Sequence, residues 1–206
     1  MSSTPITIAV PKGYLFQETL TILEKAGIYF DDTLKNSRRL FTYDTTKKYK
    51  MILVRPWDVP AYVEQGAADL GVVGKDVLYE HSADVLTLKD LEFGGCKLVI
   101  AGHQDQDINS LSYNCKVVTK YPNSTQRYFN RLGKKVRIIK LYGAIELGPL
   151  TGLSDVICDL TATGSTLREH DLKVLDTVFD STAHLIANPI GMRAYYTEIT
   201  SICSKL

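Results

Sequence analysis

Short runs of apolar residues recur along the chain, separated by segments with helical spacing. In the first half, these runs lie at residues 6–10, 50–54, 69–73 and 85–88. Between the first two runs, Leu15, Leu20 and Leu23 form a helical stripe that stops near Gly27. Runs rich in β-branched residues that alternate with helices are typical of a mainly parallel sheet flanked by helices. The pattern therefore predicts an α/β fold.

The middle of the chain carries a second set of strands and helices. It predicts a helix over 123–132, which Asn123 caps and Gly133 ends, and strands at 97–101, 116–119, 136–140 and 155–160. The adjacent glycines Gly94 and Gly95 permit a backbone bend before this set. After it, the pattern predicts a strand at 184–188 and a helix at 189–203. We therefore predict an inserted second domain at 94–179 and a discontinuous first domain at 1–93 and 180–206.

Composition narrows the functional classes. Twenty-four basic and 23 acidic residues leave a net charge of +1, so no global field would attract nucleic acid or an anionic membrane. The sequence shows neither a secretory leader nor an apolar run of the roughly 20 residues that span a bilayer. The four cysteines are far apart and lack metal-ligand spacing, which is typical of reduced thiols. We expect a cytoplasmic protein without nucleic-acid or membrane partners.

The most informative segment is residues 159–167, DLTATGSTL, which follows an apolar strand and opens a helix. In such a turn the backbone N–H groups converge on an anion, and Gly164 permits close approach. Further donors are the hydroxyl groups of Thr161, Thr163, Ser165 and Thr166. The turn has no lysine and lacks the P-loop spacing, so it suits a terminal monophosphate better than a triphosphate. The structural alternative is a polar turn that only caps its helix.

Two carboxylates accompany this turn. Asp159 lies at the C-terminal edge of the strand, where a carboxylate beside a phosphate is unfavourable unless it has a separate task. Accepting hydrogen bonds from sugar hydroxyls is such a task. Glu146 lies 13 positions earlier among apolar residues, and its structural alternative is a glutamate on a helix surface. The position of Asp159 therefore favours a functional turn.

Residues 146–167, ELGPLTGLSDVICDLTATGSTL, closely resemble the signature of ATP phosphoribosyltransferases. Four other blocks resemble the same family in the same order, at 8–13, 55–78, 93–101 and 120–123. The resemblance covers nearly the whole chain. It implies two α/β domains resembling the type II periplasmic-binding-protein fold, with the active site in the interdomain cleft. It also implies that N1 of the ATP adenine attacks phosphoribosyl pyrophosphate (PRPP), giving N1-(5-phosphoribosyl)-ATP and pyrophosphate in the first step of histidine biosynthesis.

The resemblance also implies roles for individual residues. Asp159 and Glu146 are expected near the ribose hydroxyls. The 5′-phosphate is expected to lie on Leu160, Thr161, Ala162, Thr163, Gly164, Ser165 and Thr166. Departing pyrophosphate gathers negative charge, and Mg²⁺ carried in on PRPP should supply most of the compensation. The remaining contacts to pyrophosphate and ATP are assigned to Lys12, Gly13, Arg38, Arg55, Gly74 and Lys75.

The resemblance makes Lys12 and Arg55 the catalytic candidates, and each follows an apolar strand, where ligands of open α/β sheets bind. A solvated turn lysine is the alternative for Lys12. A salt bridge to Asp58 or Asp69 is the alternative for Arg55.

The other basic and glycine candidates also have alternatives. Arg39 could serve in place of Arg38, and Gly74 with Lys75 could form an ordinary strand-to-helix turn. Tyr14 stands where the family's first turn usually continues with arginine.

The resemblance is to the short form of the family, because the chain ends at Leu206 without the long form's regulatory domain. The short form implies a homodimer of catalytic subunits, joined in a hetero-octamer with a regulatory subunit resembling histidyl-tRNA synthetase. Two rival functions remain. A two-domain solute-binding module would bind without catalysis. A single-domain phosphoribosyltransferase usually has paired acids at the start of its loop, whereas Cys158 precedes Asp159 here.

Overall fold

A computed structural model describes residues 4–30 and 39–206 of the chain. It divides into two compact units, one formed by Met1–Gly94 with Thr182–Leu206 and the other by Gly95–Ser181. The sequence placed the two crossings after residues 93 and 179. The return crossing falls later because a strand of the second unit continues to Ser181.

The first unit contains one six-stranded sheet in the order β2-β3-β1-β4-β11-β5. The strands are β1 Ile6–Pro11, β2 Phe41–Tyr43, β3 Tyr49–Val54, β4 Leu70–Gly74, β5 Leu86–Asp90 and β11 Ala183–Ala187. Strands β3, β1 and β4 are parallel neighbours, whereas β2 and β11 pair with their neighbours in antiparallel orientation. Since β4 and β5 are both antiparallel to β11, the strands β1, β3, β4 and β5 all run in one direction, and the sheet is mainly parallel as predicted. The chain returns from the second unit as β11 and inserts antiparallel between β4 and β5.

Helices cover both faces of this sheet. They are α1 Phe16–Lys25, α2 Val59–Glu64, α3 Lys75–His81, α7 Pro189–Ala194 and α8 Tyr196–Lys205. Successive strand residues point to opposite faces, so Ile8 packs in a cluster with Leu23 and Ile199, while Ala9 packs with Val63 and Val77. The predicted single tail helix was wrong, because the chain leaves helical geometry at Tyr195, between α7 and α8.

The second unit contains a five-stranded sheet in the order β10-β6-β9-β7-β8. Its elements are β6 Cys96–His103, β7 Cys115–Thr119, α4 Pro122–Arg131, β8 Val136–Lys140, α5 Leu147–Leu150, β9 Val156–Thr161, α6 Ser165–Glu169 and β10 Leu172–Ser181. Strands β8, β7 and β9 are parallel, and β6 is antiparallel to both β9 and β10. Three parallel strands thus lie beside an antiparallel pair.

Two local features of the second unit differ from the sequence prediction. Helix α4 begins at Pro122 and has Tyr121 at its N-cap position, so the predicted cap by Asn123 was wrong. Proline is suited to the first helical turn because the N–H that it lacks would have no partner there. Sequence reasoning also missed β10, whose pairing with β6 shifts register on either side of Asp176 and Thr177 and so breaks its alternation.

All four cysteines are free, with Cys115 and Cys158 buried and Cys96 and Cys203 half-buried. Within residues 4–30 and 39–206, no helix combines the length and the apolar character needed to cross a membrane.

Candidate active site

The hydroxyl-rich turn connects β9 to α6. Strand β9 ends at Thr161, one residue beyond the end of the strand predicted at 155–160. Asp159 therefore lies within the strand, opposite Val99 of β6. Strand β9 lies between β6 and β7 in the sheet, which fixes the Asp159 backbone. The half-buried carboxylate of Asp159 is therefore attached to a rigid element.

A cavity of about 190 Å³ lies at this turn. Its walls come from the end of β9, the turn, the start of α6 and the residue preceding α5. The lining residues are Glu146, Asp159, Leu160, Thr161, Ala162, Thr163, Gly164, Ser165, Thr166 and Leu167. The structure thus brings together every residue that the resemblance assigned to PRPP. Leu167 was not among the predicted substrate-binding residues. It is buried and belongs to the apolar core of the second unit.

Hydrogen bonds within the turn hold its backbone. The Gly164 N–H donates to the Thr161 hydroxyl oxygen at 3.0 Å. The Thr163 hydroxyl accepts from the Ser165 N–H at 3.4 Å and donates to the Ser165 hydroxyl at 3.1 Å. Gly164 has φ +73°, a left-handed conformation that residues other than glycine rarely adopt. The turn is therefore preorganised by its own hydroxyl groups and its glycine.

Glu146 reaches the cavity because α5 packs closely on the sheet. Ile145 is buried and belongs to the apolar core of this unit. A Cβ added at Gly148 would lie 2.6 Å from the Ser154 hydroxyl oxygen and 3.1 Å from the Val118 Cβ. Only glycine allows this approach. Glu146 is half-buried at the N-cap position of α5, and its side chain makes no capping hydrogen bond.

The structure places Lys12 and Arg55 side by side on the first unit. They follow Pro11 and Val54, which are paired in the parallel strands β1 and β3. The Lys12 N–H donates to the Val54 carbonyl oxygen at 2.8 Å. Both side chains are exposed at the C-terminal edge of the sheet, the edge at which ligands of open α/β sheets bind.

The predicted structural alternative for Arg55 does not occur. Among the residues that the structure describes, Arg55 forms no ion pair with Asp58 or Asp69. The Asp69 carboxylate instead accepts a hydrogen bond from the Thr7 N–H at 2.8 Å. Its structural role is to link the start of β1 to the start of β4.

Gly13, Gly74 and Lys75 lie at or just beyond the C-terminal ends of β1 and β4. Gly13 has φ +93°, so the turn after β1 requires a residue tolerant of left-handed geometry. A Cβ at Gly74 would clash with the Asp76 carboxylate. The Lys75 N–H is bonded to the Thr182 carbonyl oxygen at 2.9 Å. Arg38 lies outside the described residues, so the choice between it and the exposed Arg39 is not decided by the structure.

Comparison with known proteins identifies a family. The family model HisG: ATP phosphoribosyltransferase matches residues 55–206. ATP phosphoribosyltransferase 2 of Geobacter sulfurreducens is 44% identical over 204 residues, covering 98% of this chain and 96% of that protein. The ATP phosphoribosyltransferase of Prochlorococcus marinus subsp. pastoris is 47% identical over 192 residues, covering 91% of this chain and 89% of that protein.

Solved structures agree with the sequence relatives. A chain of the ATP phosphoribosyl transferase (HisG:HisZ) complex from Thermotoga maritima has a TM-score of 0.84 at 35% identity, covering 97% of this chain and 96% of that one. The periplasmic VFT2 domain of Bordetella pertussis BvgS has a TM-score of 0.60 at 14% identity, covering 98% and 86%, and shares only the fold. The predicted pair of α/β domains resembling periplasmic binding proteins is confirmed. The chain belongs to the ATP phosphoribosyltransferase family.

Proposed function

We propose that this chain transfers the phosphoribosyl group of PRPP to N1 of the ATP adenine through the residues assembled at the β9–α6 turn. Its family makes it a transferase of histidine biosynthesis that acts at the first step of the pathway. The observation that carries the residue assignments is the cavity at residues 159–167, where two carboxylates meet a hydroxyl-rich turn.

The turn supplies donors for the 5′-phosphate of PRPP. Because the Thr161 hydroxyl oxygen accepts from the Gly164 N–H, its own proton remains available to an anion. Ser165 and Thr166, at the start of α6, add hydroxyl groups in the same cavity. Donors fixed before the ligand arrives lose little conformational freedom on binding, which favours a single orientation of the sugar phosphate.

The carboxylates of Asp159 and Glu146 accept hydrogen bonds from the ribose hydroxyls. Cleavage of the bond to pyrophosphate leaves the anomeric carbon with cationic character in the transition state. Two carboxylates close to the ribose ring stabilise the cationic anomeric carbon of the transition state more than the neutral anomeric carbon of bound PRPP. This difference accelerates the reaction. Alignment of the adenine N1 with the anomeric carbon supplies the rest of the rate acceleration.

Lys12 and Arg55 stabilise the leaving pyrophosphate from the first unit. The guanidinium group offers two parallel donors to phosphate oxygens, and the ammonium group adds a mobile charge. Mg²⁺ enters with PRPP as part of the substrate and neutralises most of the charge on the departing oxygens. Gly13, Gly74 and Lys75, together with Arg38, complete the proposed contacts to ATP and pyrophosphate.

We also propose an assembly in the cytoplasm. The Thermotoga maritima protein forms a HisG:HisZ complex, and its likeness to this chain supports a regulatory partner subunit here. The finer proposal is a hetero-octamer, built on catalytic homodimers and completed by a subunit resembling histidyl-tRNA synthetase. Light scattering of the chain with and without such a subunit measures the mass of the assembly. Inhibition of the isolated chain by histidine would argue against regulation through a partner.

Incubation with ATP, PRPP and Mg²⁺ tests the reaction directly. We expect phosphoribosyl-ATP and pyrophosphate in equal amounts, and no product when Mg²⁺ is chelated. The rival two-domain solute-binding module predicts binding of a small solute without turnover. Product formation therefore separates the two functions in one assay.

A further inference from the structure

One peptide unit of the β9–α6 turn is held at both ends. The carbonyl oxygen of Thr163 accepts a hydrogen bond from the Arg168 guanidinium Nη1 at 2.9 Å. The N–H of the same unit, which belongs to Gly164, donates to the Thr161 hydroxyl at 3.0 Å. In a trans peptide the C=O and N–H bonds point in opposite directions. A bond at each end therefore prevents the plane from rotating.

Rotation of this plane would change what the turn presents to an anion. Glycine adopts positive and negative φ with similar ease, so the unit next to Gly164 has little intrinsic resistance to a flip. A flip would replace the Gly164 N–H with the Thr163 carbonyl oxygen opposite the Thr161 hydroxyl, and Thr161 lines the cavity. The Thr161 hydroxyl would then donate to that carbonyl oxygen, and its proton would no longer be available to a phosphate.

Arg168 is placed to prevent this flip without reaching the ligand. It lies in α6, with an exposed side chain, and is not among the residues that line the cavity. Its Nη1 lies 3.1 Å from the position that a Cβ on Gly164 would occupy. Its backbone N–H also donates to the Gly164 carbonyl oxygen at 3.1 Å. The guanidinium group thus packs against the outside of the turn.

We propose that Arg168 is a positioning residue, which locks the Thr163–Gly164 peptide so that its N–H holds the Thr161 hydroxyl oxygen and leaves the hydroxyl proton for the phosphate subsite. The inference rests on the proposed function of the turn and adds a residue that neither the sequence motif nor the cavity lining singled out. Arg168 acts through the peptide plane and makes no contact with PRPP. This hydrogen bond from Arg168 to the Thr163 carbonyl oxygen, here called the lock, therefore strengthens phosphate binding equally in the ground state and in the transition state.

Steady-state kinetics of Arg168→Met test the role in binding. Methionine keeps an unbranched side chain but removes the donors. We expect the KM for PRPP to rise about tenfold, with kcat and the KM for ATP nearly unchanged, because the lost interaction is uniform along the reaction. Arg168→Lys should recover most of the loss, since an ammonium group can donate to the same carbonyl oxygen.

Arg137→Met is the matched control, because Arg137 is exposed on β8 of the same unit and its loss removes the same charge. Its KM for PRPP should match the wild-type value. An equal increase in both methionine variants would overturn the lock in favour of a general charge effect, and so would a wild-type KM in Arg168→Met.

Hydrogen exchange at the Gly164 amide tests the lock independently of turnover. We expect Arg168→Met to exchange about tenfold faster than wild type at this amide, and Arg137→Met to leave it unchanged. An unchanged rate in Arg168→Met would overturn the inference. If the wild-type chain formed no phosphoribosyl-ATP but the exchange responded, the proposed function would fail while the lock remained established.

Discussion

The side-chain amide of Asn188 donates a hydrogen bond to the carbonyl oxygen of Val63 at 2.8 Å, from the start of α7 to the end of α2. The oxygen of the same amide accepts from the N–H groups of Ile190 and Gly191 at 2.9 and 3.0 Å. Asn188 is only 5% exposed. One buried side chain thus satisfies backbone groups at the ends of two helices that are far apart in sequence.

Asn188→Ala should lower the free energy of unfolding by about 2–4 kcal/mol, because it removes the cap of α7 and leaves buried groups without partners. Urea denaturation measures this change. The control is Asn109→Ala, at an exposed position in the second unit, which should stay within about 0.5 kcal/mol of wild type. Equal stability of the two variants would contradict the role of Asn188.

Asp159→Asn should reduce kcat/KM for PRPP by about a hundredfold or more, because it removes a charge that faces the cationic ribose in the transition state. Thr166→Val should also weaken PRPP use, through the loss of a hydroxyl donor. Thermal unfolding should change far less than activity in both variants. Glu169→Gln is the control, since this carboxylate lies in α6 but not in the cavity lining. Wild-type kinetics in both Asp159→Asn and Thr166→Val would remove the turn from the mechanism.

Arg55→Gln should slow turnover by about a hundredfold, and Arg55→Lys by about tenfold, because lysine restores the charge but not the two parallel donors. The measurement is kcat under saturating ATP and PRPP. Arg193→Gln removes an exposed guanidinium group from α7 of the same unit and should leave kcat unchanged. If Arg193→Gln slowed turnover as much as Arg55→Gln or more, only the overall charge of the unit would matter.

The phenol of Tyr128 on α4 donates to the carboxylate of Asp176 on β10, and this contact predicts a pH dependence. Burial, with the hydrogen bond to Asp176 and the charge of Asp176, raises the pKa of Tyr128 above its ordinary value. The contact is therefore fully present below about pH 10, the pKa of tyrosine in an unfolded chain, and is lost as pH rises through the higher folded-state value.

Urea denaturation between about pH 8 and pH 11 checks this expectation. Wild-type stability should fall more steeply with rising pH than that of Tyr128→Phe, which should itself cost about 1 kcal/mol at the lower pH. Tyr142→Phe serves as the control, because Tyr142 is 81% exposed and its substitution should leave the wild-type slope intact. Parallel slopes for wild type and Tyr128→Phe would refute the assignment.

Local patterns predicted much of the fold. The apolar run predicted at 136–140 is the strand Val136–Lys140, and the runs at 6–10 and 50–54 fall within β1 and β3. The turn of 159–167 was also predicted from residue types alone. These features depend on side-chain alternation and on the conformational limits of glycine and proline, which act over a few neighbouring residues.

The misses have a different origin. Strand β10 escaped detection because two register shifts disrupt its alternation, and β2 because it is only three residues long. The direction of β11 follows from where the chain re-enters the first unit, which no local pattern encodes.

By itself, the sequence determined most of the strands, the hydroxyl-rich turn and the family. Only the tertiary structure decided which of the candidate groups stand together. Lys12 and Arg55 are neighbours because β1 pairs with β3, and Glu146 lines the cavity with Asp159 because Gly148 lets α5 approach β7. Strand pairing and close packing join residues that are distant along the chain, and their free energy depends on many partners at once.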